Sequence, residues 1–195
     1  MLTFLFLLLM LPAQSAEGPE QQFPIPNNMR DIRPSTSLDK NDEVALKRIL
    51  EAEAKRLTAA LPGECDNPQF SWAPVELGAL GKGVVVATMP PCNCGRANCA
   101  ISLYVGQAAG YREIPFGPAH REPIGWAFGL LESPSGVPDV VIASAAGGFM
   151  VRLALYRYVE GRFVLRNSEC LKQRNPESPG SWWSPADVLV NHSCE

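Results

Sequence analysis

Phe149-Met150-Val151-Arg152-Leu153-Ala154-Leu155-Tyr156-Arg157-Tyr158-Val159-Glu160-Gly161-Arg162-Phe163-Val164-Leu165 is the stretch that decides how this chain folds. Successive side chains of a strand point to opposite faces. Phe149, Val151, Leu153 and Leu155 therefore share one face, and Arg152, Tyr156 and Tyr158 the other. An aliphatic face backed by Arg and Tyr belongs in an antiparallel sheet with one side in the core and the other at least partly wet. Glu160-Gly161 then joins this run to Arg162–Arg166 as a short hairpin, with Gly where positive φ is needed.

Working back toward the N-terminus, strand-like runs recur at Val137–Ala145, Ile124–Leu130, Tyr111–Pro115, Ala100–Gly106, Gly83–Met89 and Phe70–Glu76. Only before Cys65 does the period become helical. Leu46, Ile49, Leu50, Leu57 and Leu61 line one face of a helix over Asn41 to Leu61, and Lys47, Arg48, Glu51 and Lys55 the other. Asp39 or Asn41 can cap it, Asp42 and Glu43 suit the positive end of its dipole, and Pro62-Gly63 stops it. The expected fold is α+β: one N-terminal amphipathic helix packed on an antiparallel β-meander, stapled by disulfides, as a single domain over residues 41–195.

The first 16 residues are expected to be a signal peptide. Leu2 to Leu11 is an almost unbroken apolar run but too short to span a bilayer, and the small residues of Pro12-Ala13-Gln14-Ser15-Ala16 suit a signal peptidase. Residues 17–40, with Pro19, Pro24, Pro26 and Pro34, read as a flexible Pro-rich leader. No second apolar stretch approaches spanning length, so no membrane span is expected after signal cleavage. A net charge of −3 argues against nucleic acid as partner. The chain is expected to be exported, to a bacterial periplasm or the extracellular space, as a monomer.

An exported chain with 6 cysteines is expected to form disulfides. Cys92, Cys94 and Cys99 cluster between two strands. A local Cys94–Cys99 bridge around Gly95-Arg96-Ala97-Asn98 would clamp the hairpin end, leaving Cys92, Cys65, Cys170 and Cys194 to pair elsewhere. A zinc site needs four ligands, and neither histidine is near these three thiols; a redox dithiol normally uses Cys-x-x-Cys at a helix N-terminus, which is not the spacing here. Structural staples are the expectation, with no metal and no cofactor.

Catalytic patterns are sparse. His120 and His192 are the only histidines, and Gly-x-Ser-x-Gly and His-Glu-x-x-His do not occur. Ser37-Leu38-Asp39-Lys40 matches Ser-x-x-Lys without its companion motifs. The Gly-rich run from Val75 to Val86 has Leu77, Ala79 and Leu80 where a calcium loop would carry acids. For binding, Arg96 and Asn98 in the clamped loop are candidates, as are Trp182 and Trp183, since neighbouring Trp residues cannot both face inward on a regular strand.

Gly78 to Val86, Cys94 to Cys99, Pro138 to Val141, and Tyr156 to Phe163 with Cys170 together resemble a loose group of uncharacterised exported bacterial proteins. These share a Cys-Gly-x-x-x-Cys hairpin and a Tyr-Arg-Tyr/Phe-x-x-Gly hairpin, and are distantly similar to integrin-like repeat blades without calcium ligands. The resemblance implies an exported β-rich domain and no activity. The expected function is a non-catalytic binding module for another protein or a small ligand. The alternatives are a hydrolase with a site around His120, and thiol or metal chemistry at Cys92, Cys94 and Cys99.

Overall fold

Two short runs of chain, one helix and two successive strand meanders make up the described part of the molecule, which in this computed structural model is residues 23–31, 40–89, 92, 98–117, 123–147, 150–173 and 188–192. In chain order the elements are β1 (Arg30–Asp31), α1 (Lys40–Ala60), β2 (Gln69–Glu76), a 3-10 turn (Gly78–Leu80), β3 (Lys82–Met89) and β4 (Cys99–Gln107). β5 (Gly110–Ile114), β6 (Ile124–Gly125), β7 (Ala127–Leu131), β8 (Asp139–Gly147), β9 (Met150–Val159), β10 (Arg162–Gln173) and β11 (Val188–His192) follow. The fold is α+β with antiparallel pairing throughout the named strands.

The meander is divided into two sheets. One runs β2-β3-β4-β5, with β6 pairing β4; the other runs β1-β7-β8-β9-β10-β11. Their facing sides form the main core, where Val75, Val85, Leu103 and Ile114 meet Phe128, Val140, Ile142 and Phe163. This explains the run Val84-Val85-Val86: alternate residues serve different layers, so both faces are apolar. Val84, Val86 and Tyr104 turn outward, and Leu46, Ile49 and Leu50 of α1 cover them.

The outer side of the second sheet is also covered. Val141, Ala143, Leu153, Leu155 and Leu171 pack there with Phe23, and Ile25 and Met29 lie against them. Residues 23–31 of the Pro-rich leader are therefore docked on the domain rather than free. Phe23 is 3 % exposed, and Asn28 Oδ1 accepts a hydrogen bond of 2.9 Å from Leu130 N. The face of β9 read as wet is the one between the sheets, where Tyr156 and Tyr158 pack against the main core.

Turns follow their residue types. Glu160 and Gly161 have φ of 50° and 86°, so the β9–β10 hairpin has positive φ at both turn positions. Gly78 (φ 58°) brings the β2–β3 turn against the β7–β8 turn, and Ala79 N donates to Gly136 O at 2.8 Å.

β10 is longer than the hairpin reading of Arg162–Arg166, because it continues through a bulge at Arg166 to Gln173. The extra residue reverses the alternation. Phe163 faces the other sheet, whereas Leu171, also odd-numbered, faces outward.

Cys65 and Cys92 form a disulfide, and both are buried with Leu57 near the end of α1. The bridge fastens the chain after the helix to the β3–β4 connection. Cys99 and Cys170 are disulfide-bonded as well, while Cys94 and Cys194 lie outside the described residues, so the expected Cys94–Cys99 bridge does too.

Candidate functional site

The second sheet outruns the first. β9 has 10 residues and β10 has 12, against 5 in β5. Toward its far end β8 passes from buried Val140–Ala143 to half-buried Ser144 and exposed Ala145, Ala146 and Gly147. Beyond Ile142 and Tyr156 no strand among the described residues opposes the inner faces of β8, β9 and β10, and they floor an open groove of about 660 Å³.

Small side chains make the groove concave: Ser144, Ala146, Ala154 and Ser168 lie between the bulkier Tyr156, Arg152, Ile124 and Leu165. Tyr156 seals the inner end. Its ring meets Phe116 edge-on at 5.0 Å, and Phe116 stacks on Phe163 at 5.4 Å. Burial raises the Tyr156 pKa above that of a free phenol, so the group is a neutral donor and acceptor at physiological pH.

The near rim is built by the chain crossing between sheets. At β6 the backbone pairs with β4 (Cys99↔Gly125, Ala100↔Ile124), then Trp126 N donates to Ala143 O at 3.0 Å. A Cβ on Gly125 would stand 2.5 Å from Ala143 O and 2.6 Å from Ile142 Cγ2, so only Gly permits this crossing. It leaves Ile124 at the rim, 59 % exposed, across from Leu165, 52 % exposed.

Asn98 completes the rim. Its Nδ2 donates to Ala145 O at 2.9 Å, and its Oδ1 accepts from Ala145 N at 2.7 Å. β7 pairs β8 only as far as Ala127↔Ala143, so the Asn98 amide acts as the next rung of the ladder. Of the residues expected to bind, Asn98 lies on the groove with its side chain committed to β8; Arg96, Trp182 and Trp183 lie outside the described residues. So does His120, around which a hydrolase site was considered. Cys92 and Cys99 of the thiol cluster are in disulfides, so thiolate chemistry there would first require their reduction.

Sequence reasoning did not find Ile124, Arg152, Ala154, Leu165 or Ser168 as a group. Each reads as an ordinary strand residue, and only the crossing at Gly125 and the bulge at Arg166 bring them to one surface. A second cavity, about 550 Å³, lies between Asn28, Glu76 and the β7–β8 turn. No group of three or more His, Cys, Asp or Glu able to hold a metal occurs among the described residues, and no helix among them is long and apolar enough to cross a membrane. Compared with protein-family models, curated proteins and solved structures, the chain matches none.

Proposed function

We propose that this chain is an exported, non-catalytic interaction module that binds its partner in the groove at the open end of the second sheet. The carrying observation is the pair Ile124 and Leu165. Three large apolar side chains are exposed among the described residues, Val44 being the other, and two of the three flank this one groove. Scattered exposed apolar residues are ordinary, but two on opposite rims of one concavity mark a contact surface. The described lining offers a guanidinium, a neutral phenol, small hydroxyls and methyl groups, which are contacts for recognition. Bracing of the neighbouring β3–β4 connection by the Cys65–Cys92 bridge lowers the ordering cost of binding. Export rests on the apolar Leu2–Leu11 run and on disulfide-bonded Cys65, Cys92, Cys99 and Cys170.

The test is a photo-crosslinking amino acid at Leu165, with the same group at Val44 on the helix as control, in cells exporting the full chain. The expected result is one discrete adduct from position 165 that Ser168→Trp suppresses. The same adducts from both positions would remove the groove as the surface. Turnover in a hydrolase screen that His120→Ala abolishes and Ser168→Trp leaves intact would replace the module with an enzyme.

A further inference from the structure

The inner face of β8–β10 is graded along its length. Outward from the core its cross-strand rows are Val140–Tyr156–Leu165, Ile142–Ala154–Ser168 and Ser144–Arg152–Cys170. Lys172, paired with Met150, comes next on the same face. Over about 13 Å the floor thus changes from aromatic and aliphatic, through small, to cationic.

Among the described residues the two cations are uncompensated. Neither Arg152 nor Lys172 forms a hydrogen bond or ion pair with another residue in the described structure. Among the described residues no Asp or Glu lines the groove or stands on this face of β8–β10. The pairing places Arg152 and Lys172 on a diagonal between neighbouring strands, roughly 7–8 Å apart at Cα, so one carboxylate can reach both.

Resting on the groove as the binding surface, we infer that its occupant is an acidic peptide segment with an apolar side chain beside an Asp or Glu. The apolar side chain sits over Ala154 between Ile124 and Leu165, and the carboxylate meets Arg152 and Lys172. An acyl chain fits less well: Ile142, 2 % exposed, and the Tyr156–Phe116 contact close the groove inward, leaving no apolar tunnel.

The experiment pans a random 12-residue peptide phage library on the mature full-length chain, then measures the enriched peptides by fluorescence anisotropy. The expected peptides place Asp or Glu next to Leu, Ile or Phe. Their affinity should fall about tenfold or more in Arg152→Glu/Lys172→Glu, decline with rising salt, and vanish in Ser168→Trp. All three side chains are exposed; if the charge reversal fails to fold, Arg152→Gln/Lys172→Gln replaces it. Peptides blocked by Ser168→Trp but without acidic bias, or indifferent to the charge variants, would overturn the acidic preference and leave the groove standing. Peptides indifferent to Ser168→Trp, or no enrichment at all, would overturn the groove itself. Oleate binding that Ser168→Trp abolishes, without peptide binding, would overturn the peptide in favour of an anionic amphiphile.

Discussion

The side-chain amide of Asn98 holds both the N–H and the C=O of Ala145, at 2.7 and 2.9 Å, across 47 residues of sequence. It substitutes for a backbone rung at the point where β7 leaves β8, and it locks the β3–β4 connection to the groove rim. Asn98→Ala should cost about 1–2 kcal/mol, since both bonds are exposed and water can replace them in part. Asn98→Asp should cost at least as much, because a carboxylate oxygen then faces the Ala145 carbonyl. Urea denaturation of the two variants checks the order; an unchanged midpoint in both would show that the rung carries no stability.

The Cys65–Cys92 bridge closes a long loop, with a sequence separation of 27, and is buried beside Leu57. In the chain-entropy account a loop of this length is worth about 3–4 kcal/mol. Cys65→Ala/Cys92→Ala should lower the guanidinium midpoint accordingly and open α1 to trypsin before the sheets. Simultaneous proteolysis of helix and sheets would mean that the bridge does not serve the helix end in particular.

Asp139, 4 % exposed, sits directly across from Arg157, whose Nη2 donates to it at 2.8 Å and whose Nε donates to both carboxylate oxygens at 3.2 Å. The hydrogen bonds to Asp139, and then its charge, raise the Arg157 pKa above the usual guanidinium value. A group whose pKa is raised on folding contributes its stability in full below its unfolded pKa and loses it as pH climbs past the folded one. The difference in stability between the wild-type chain and Arg157→Met should therefore show no guanidinium titration between pH 6 and 10. Arg157→Met leaves a buried carboxylate without its cation and should destabilise more than Asp139→Asn, by about 1 kcal/mol or more. Equal losses would mean that the half-exposed Arg157 is held by solvent as much as by Asp139.

The helix and the strands were legible because their apolar period is regular; α1 begins and ends within one residue of the expected span, Asn41 to Leu61. The division into two sheets was not, although Val84-Val85-Val86 carries its signal: a strand apolar on both faces needs cover on both. Docking of residues 23–31 was hidden because Phe23 and Ile25 stand among prolines, where no period can form. The groove was the least legible part. Ile124 and Leu165 are far apart in sequence, and their facing position depends on Gly125 fitting against Ala143 O, a tertiary approach with no local pattern.

Tyr156 joins the groove to the core, and its burial-raised pKa gives an optical handle. The unfolded chain would ionise this phenol near pH 10, before the folded chain does, so its contribution to stability is intact below pH 10 and lost above it. In an alkaline titration followed at 295 nm, Tyr156→Phe should remove one phenol from the late-titrating fraction and none from the early one. Loss from the early fraction would place Tyr156 in open solvent and undo the closed inner end of the groove.

The bulge at Arg166 sets which residues of β10 face the groove. Before it, Leu165 opposes Tyr156; after it, Ser168 opposes Ala154 and Cys170 opposes Arg152. Arg166 is exposed and outside the regular pairing, so Arg166→Ala should lie within about 0.5 kcal/mol of wild type. Deleting Arg166 together with Asn167 is a different perturbation. Ser168 would then follow Leu165 in strict alternation, which would turn Leu171 out of the cluster with Leu153 and Leu155 and aim Cys170 at the opposite face. Ser168 and Cys170 cannot replace Leu171 in that cluster, so the double deletion should cost about 3 kcal/mol or more and leave Cys170 accessible to thiol reagents. Denaturation together with thiol counting separates the two variants. A double-deletion variant as stable as Arg166→Ala, with Cys170 still bridged, would show that β10 can re-register and that the groove floor is not fixed by the bulge.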